Sequence, residues 1–186
     1  MQAIDDKTDL RIAVAMARGT SASAIKIYAD MPAARARAIT AEAHRQKMMI
    51  WAHSAIFPAR PAEVIAAGAD VISHVWYLAY EAQPKMLGAY EDRTPVDENL
   101  LAKTGDDPVV ARLYQAMRKH GTILDATGSL FVKFEAARKA DPKAKPLRCS
   151  GARTIQLTQQ AWRAGIPIST GTDYVDPAGD TWPEVH

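Results

Sequence analysis

Four short apolar runs in this sequence each hold one residue that does not belong in a core. They read Ala24-Ile25-Lys26-Ile27-Tyr28, Ile50-Trp51-Ala52-His53-Ser54, Val71-Ile72-Ser73-His74-Val75 and Ile166-Pro167-Ile168-Ser169-Thr170-Gly171-Thr172-Asp173. The flanking residues are β-branched or aromatic and the runs are short, which favours buried parallel strands over helices. Each strand therefore carries a metal-ligand type: an amine, two imidazoles and a carboxylate. The lysine is the sharpest signal, because burying an ammonium costs several kcal/mol unless it is paired, neutralised or chemically altered.

The elements around these runs repeat one unit. Residues 9–18 have helical spacing, with Leu10, Ile12, Val14 and Met16 apolar, and Gly19 ends the helix before the Lys26 strand. Asp30 reads as the cap of a helix over residues 33–47, with Pro32 in its first turn. Pro61 opens a helix over 62–67 that Gly68 stops, and Asp107-Pro108 opens another that His120-Gly121 closes. Residues 122–126 read as a strand, and the helix over 154–164 ends at Gly165. Helix, glycine stop and short strand thus recur at Gly19, Gly68, Gly121 and Gly165, and once without glycine at Gln46-Lys47. Residues 81–107 and 139–151 form irregular polar inserts, where specificity is expected to vary.

Strands alternating with helices of this length imply right-handed crossovers and a parallel sheet. Open doubly wound sheets and (β/α)8 barrels both fit. The placement of the odd residues decides between them, because each lies near the C-terminal end of its strand, where barrel enzymes keep their catalytic groups. The expectation is one α/β domain over residues 1–186, a partial TIM-like barrel of about five strands. About three further strands would precede it in a complete barrel, and the chain looks cut at both ends.

Composition narrows the function classes. The 186 residues carry 23 basic and 21 acidic side chains, and a net charge of +2 argues against a dedicated nucleic-acid surface. Cys149 is the single cysteine, so no internal disulfide forms, which fits a reducing compartment and favours the cytoplasm. No apolar run approaches the ~20 residues of a membrane span, and the first residues lack the apolar core of a signal peptide.

A strand Lys, an Ala-His strand, a second strand His after Gly-Ala-Asp and a late Gly-Thr-Asp together resemble strands four, five, six and eight of the amidohydrolase superfamily. The flavour is similar to the imidazolonepropionase-like and prolidase-like branch, which includes dipeptidases. Lys26 to His53 spans 27 residues, His53 to His74 spans 21 and His74 to Asp173 spans 99, so the order and spacing cover nearly the whole chain. By resemblance, Lys26 would take up carbon dioxide and, as a carbamate, bridge two divalent ions. His53 and His74 would bind one ion, a ligand set that suits zinc without excluding other metals. Asp173 would touch the other ion and act as general base toward a bridging water. Coordination lowers the pKa of such a water from ~15.7 towards ~7, which makes hydroxide available at neutral pH. The implied reaction is hydrolysis of an amide or other C–N bond in a small-molecule or dipeptide-like substrate. The family's His-x-His is absent, since no two of His44, His53, His74, His120 and His186 stand two apart. The resemblance implies a hydrolytic parent, and the departure implies a chain that alone is inactive or binds at most one ion, weakly.

Plainer readings stand beside these. Lys26 could be an edge-strand lysine with its head in solvent or on a carboxylate. Either histidine could be a hydrogen-bonded core residue, and Asp173 could cap a helix. Trp76, Tyr77 and Tyr80 either wall a substrate pocket or pack a loop onto the rim. Arg60, after the His53 strand, could bind a substrate carboxylate or simply lie on the surface. Asp125 reads as a turn or surface residue. Two other functions fit the same residues: a deaminase-like barrel with one metal and an unmodified Lys26, and a half-barrel without chemistry. Exposed sheet edges would favour pairing with a second copy.

Overall fold

The computed structural model describes residues 3–173 apart from Pro142, Lys145 and Thr172. Its elements are α1 (Leu10–Gly19), β1 (Ala24–Ile27), α2 (Ala33–Arg45), β2 (Met49–His53), α3 (Pro61–Ala66), β3 (Val71–Ser73), α4 (Pro108–His120), β4 (Ile123–Asp125), α5 (Gly128–Ala140), α6 (Gly151–Arg163) and β5 (Ile168–Ser169). Two 3-10 helices, Val75–Ala82 and Glu98–Leu100, lie between β3 and α4. The five strands form one sheet in the order β1-β2-β3-β4-β5, and every neighbouring pair is parallel. No helix among the described residues is long and apolar enough to cross a membrane.

Most of the helix stops are changes of backbone hand. Gly68, Gly121 and Gly165 take φ values of 92°, 72° and 71°, which only a residue without Cβ adopts at low cost. At the stop that lacks a glycine, Lys47 itself adopts φ 61°. Its N–H and that of Met48 close back onto His44 O and Ala43 O at 2.9 Å, the bonding of a Schellman ending. Gly19 differs: it is the last helical residue, and the left-handed position falls on Ser21 at φ 65°. The helix starts follow the sequence in two places. Asp9 accepts from Arg11 N and Ile12 N, and Asp107 Oδ1 accepts from Val109 N and Val110 N at 2.8 and 3.0 Å.

The core lies between the sheet and the helices covering it. Ile50, Ile72 and Leu124 from the strands meet Ala43, Ile65, Met117, Leu157 and Ala161 from the helices, all 0 % exposed. Each enclosed Ile or Leu contributes ~1.5–3 kcal/mol over its exposed state.

Three expectations change. The Trp76 to Tyr80 stretch is not a loop: it is a 3-10 helix whose residues Val75 to Tyr80 are all buried. Asp30 does not cap α2, whose N-cap is Pro32; its Oδ1 accepts instead from Tyr90 N at 2.7 Å. Between β4 and the second insert stands α5, which the periodicity does not announce because its apolar residues form no single stripe. Leu130 and Phe131 are buried, whereas Val132 and Phe134 are 50 % and 46 % exposed.

Candidate functional site

Strand register builds the site. His53 lies opposite Ser73, Ser73 opposite Asp125, and Asp125 opposite Ser169, so one polar row crosses the C-terminal ends of β2 to β5. Lys26 sits two positions lower, level with Trp51. Its long side chain climbs the face it shares with the row and donates from Nζ to Ser73 Oγ at 2.9 Å. Trp51 Nε1 donates to the same oxygen, and Ser73 Oγ in turn donates to Asp125 Oδ2 at 2.9 Å.

Lys26 is not enclosed as its isoleucine neighbours suggest. Among the described strands β1 has a neighbour on one side alone, and the residue is exposed by its accessible surface. Its Nζ nevertheless reaches into the site, where desolvation holds its pKa below the usual lysine value against the opposing pull of Asp173 and Asp125. Asp125 is not a surface residue: it is 4 % exposed and part of the row.

The two histidines lie against each other, ring centroids 4.5 Å apart and edge-on. His53 is buried, and its Nδ1 has no hydrogen-bond partner. Burial, then the charges of Lys26 and Arg148, push its pKa down to about 3. His74 follows β3 at φ 72°, and burial likewise holds it neutral, well below the usual histidine range. Its Nδ1 lies 2.8 Å from Thr127 Oγ1, and that hydroxyl donates to Ala126 O at 2.8 Å. With its own O–H directed at Ala126 O, Thr127 accepts from His74 Nδ1–H, which leaves a lone pair on Nε2. Nε2 faces Asp173 Oδ2 at 3.4 Å. An ionised Asp173 and this nitrogen confront each other as two acceptors. Asp173, at φ 46°, has its pKa raised by desolvation and lowered in part by Lys26.

The expected quartet is therefore split. His53 packs on His74 and His74 faces Asp173, while Lys26 bonds to Ser73 and feels the charges of Asp173 and Asp125. Among the described residues, no group of three or more His, Cys, Asp and Glu side chains stands close enough to hold an ion. Two imidazole nitrogens in the site lack a hydrogen-bond donor: Nδ1 of His53, which is buried and unpartnered, and Nε2 of His74, which faces the Asp173 carboxylate.

A cavity of about 680 Å³ opens beside these groups. Tyr77 lines it, as expected of a substrate wall, with its ring 5.8 Å from that of His53 and 5.6 Å from that of His74. Arg60 is not among its lining residues; the guanidinium donates to Gln83 O at 3.0 Å and to the Glu81 and Pro84 carbonyls. Sequence reasoning gives no role to Tyr28, Tyr90 or Arg148, yet all three line the cavity. Tyr28 Oη donates to Tyr90 Oη at 3.2 Å, and this bond, with burial, pushes Tyr28 up to about 12. Burial works to raise the Tyr90 phenol, but hydrogen bonds from Tyr28 and Tyr77 and the charge of Arg93 bring it below its usual range. Tyr174, Asp176 and Asp180 lie outside the described residues.

No protein-family model matches this sequence, and no curated protein does. Solved structures do match. The chain aligns with A. niger ochratoxinase at 20 % identity and a TM-score of 0.59, over 98 % of its own length and 38 % of the enzyme's. A Xaa-Pro dipeptidase with methionine bound in its active site matches at 20 % identity and a TM-score of 0.59, over 94 % of this chain and 40 % of that one. An amidohydrolase matches at 20 % identity and 0.59, over 96 % and 40 %. The likeness is one of fold, to part of each of these structures. The chain spans about two fifths of the length of these structures, and its five parallel strands correspond to part of a barrel-type sheet.

Proposed function

We propose that the strand-end site binds a divalent cation, zinc being the ion its imidazoles suit, and that it belongs to a parent protein that hydrolyses amide or related C–N bonds in small, dipeptide-like substrates. The observation that carries this reading is the pair of facing acceptors, His74 Nε2 and Asp173 Oδ2, 3.4 Å apart. A positive charge between them turns a repulsion into two ligand bonds. The likeness in fold to amidohydrolases, one of them a dipeptidase, supports the reaction class.

His53 and His74 would hold the ion through neutral nitrogen, with Asp173 as the anionic ligand. When bound, the ion supplies Lewis acidity, which acidifies water and polarises a carbonyl. The chain's own residues do the rest. Thr127 fixes the tautomer of His74. Asp173, its pKa raised by desolvation, takes a proton from water at Oδ and returns it to the leaving nitrogen. Tyr77 and Tyr28 wall the pocket. A second ion would need another anionic ligand. Lys26 could become one: its lowered pKa leaves more free amine, which adds to carbon dioxide and releases one proton to give a carbamate. The bond from Lys26 Nζ to Ser73 Oγ favours the alternative of a single ion with the lysine unmodified.

Metal content by plasma mass spectrometry, after dialysis against zinc, tests the site. About one ion per chain is expected, lost in His53→Ala and His74→Ala. Uptake that both variants leave unchanged refutes the site. Intact mass under non-acidic conditions decides the state of Lys26 by the gain of one carbon dioxide.

A further inference from the structure

Arg148 is 4 % exposed. A guanidinium so placed is costly unless its charge and donors are met. Nη1 donates to Tyr80 Oη at 3.2 Å and Nη2 to Tyr90 O, while Nε has no partner. Two of its five N–H donors are thus accounted for. Among the described residues no carboxylate lies within 4.0 Å of it. Asp92, a carboxylate that feels its charge, is exposed and bonds to Thr94 N and Oγ1 at 2.9 and 2.7 Å.

Four aromatic rings hold the guanidinium instead. Its carbon lies 4.9 Å from the centroid of Phe57, 5.3 Å from Tyr90, 5.5 Å from Tyr77 and 5.9 Å from Tyr80, all within cation–π range. Such a cage fixes the plane of the group without neutralising it. The cation stands on the wall of the cavity that also contains His53, His74 and Asp173, and its field reaches His53, whose pKa it helps to depress. Other parts of the wall are apolar, built from Trp76, Leu130, Phe131 and Phe134.

We propose that Arg148 is the anion-binding residue of this pocket, receiving the free carboxylate of an amide substrate whose apolar side chain lies toward Trp76 and Phe131. Hydrogens on Nη1 and Nη2 remain beyond those given to Tyr80 and Tyr90, and a planar guanidinium can offer two donors to one carboxylate. Arg93 and Arg138 line the same cavity, but Arg93 already faces Glu91 at 3.6 Å and Arg138 donates to Ala144 O. The substrate class rests on the amidohydrolase reading above; the anion site itself does not.

Isothermal titration of the full chain with N-acetyl-methionine and with N-acetyl-methioninamide, which differ only at the carboxylate, tests the assignment. The acid is expected to bind at least about ten-fold more tightly than the amide, in chelator and in zinc alike, and in His74→Ala as in the parent. Arg148→Gln abolishes the difference; where that variant does not fold, Arg148→Lys, which keeps the cation but not the fork, shrinks it. Arg93→Ala leaves it in place. Equal binding of acid and amide, no binding of either, or discrimination that survives in a folded Arg148 variant overturns the proposal. Loss of zinc uptake with discrimination intact would defeat the metal site alone.

Discussion

Ser73→Ala removes one oxygen from the middle of the site, and the structure sets the size of the effect. The hydroxyl donates to Asp125 and accepts from Lys26, each at 2.9 Å, and also accepts from Trp51 Nε1. Hydrogen bonds to charged groups contribute about 1.5–3 kcal/mol, and neutral ones about 1. The Lys26 term is discounted, because the residue as a whole is exposed although its ammonium is partly desolvated. The Asp125 term stands nearly whole, since that residue is 4 % exposed. A net loss of about 2–4 kcal/mol follows, a fall in Tm of roughly 4–16 °C for a chain of this size. Thermal unfolding at neutral pH reads it. A double-mutant cycle with Asp125→Ala separates the pair from its surroundings, with a coupling of at least about 1 kcal/mol expected. A Tm within a degree or two of the parent, or strict additivity in the cycle, would refute the idea that Ser73 joins the strands electrostatically.

Two further outcomes follow from the backbone and from the histidines. Lys47→Gly relieves the left-handed conformation at φ 61°, and after the unfolded-chain entropy of glycine is subtracted it should stabilise by about 0.5–1 kcal/mol; an unchanged or lower Tm counts against the strain. In the metal-free chain, His53 has a folded pKa of about 3 against 6.5 for the free side chain. Between these values the unfolded state binds more protons, so the contribution is whole above pH 6.5 and is lost as pH falls toward 3, by at most ~1.4 kcal/mol per unit. Urea unfolding with chelator at several pH values should show that slope, reduced in His53→Gln; an identical slope in the variant would refute it.

Much of the fold is legible in the sequence because its signals are local. A glycine in the left-handed region ends a helix wherever it stands, and short β-branched runs between such stops read as parallel strands. The partners of the site are not local. Lys26 reads as buried from its isoleucines, but burial depends on which strand forms the edge. Ser73 lies inside a motif chosen for its histidine, and only register shows that it receives the lysine. Arg148 sits in an irregular insert, and its four rings come from three other segments of the chain. The helix α5 is hidden for another reason: two of its four large apolar residues, Val132 and Phe134, are exposed.

Strand order that equals chain order has a consequence for assembly in time. Each strand can dock beside the one made just before it, with no gap to be filled later. The first three strands come from residues 24–73, so Lys26, Trp51, His53 and Ser73 can take their places while the rest of the chain is still being synthesised, N-terminal parts first. Asp125 and Thr127, which complete the polar row and set the tautomer of His74, come next, and Arg148 follows. Asp173 arrives after all of them. A ribosome-bound chain would therefore carry the imidazoles well before the carboxylate that faces them.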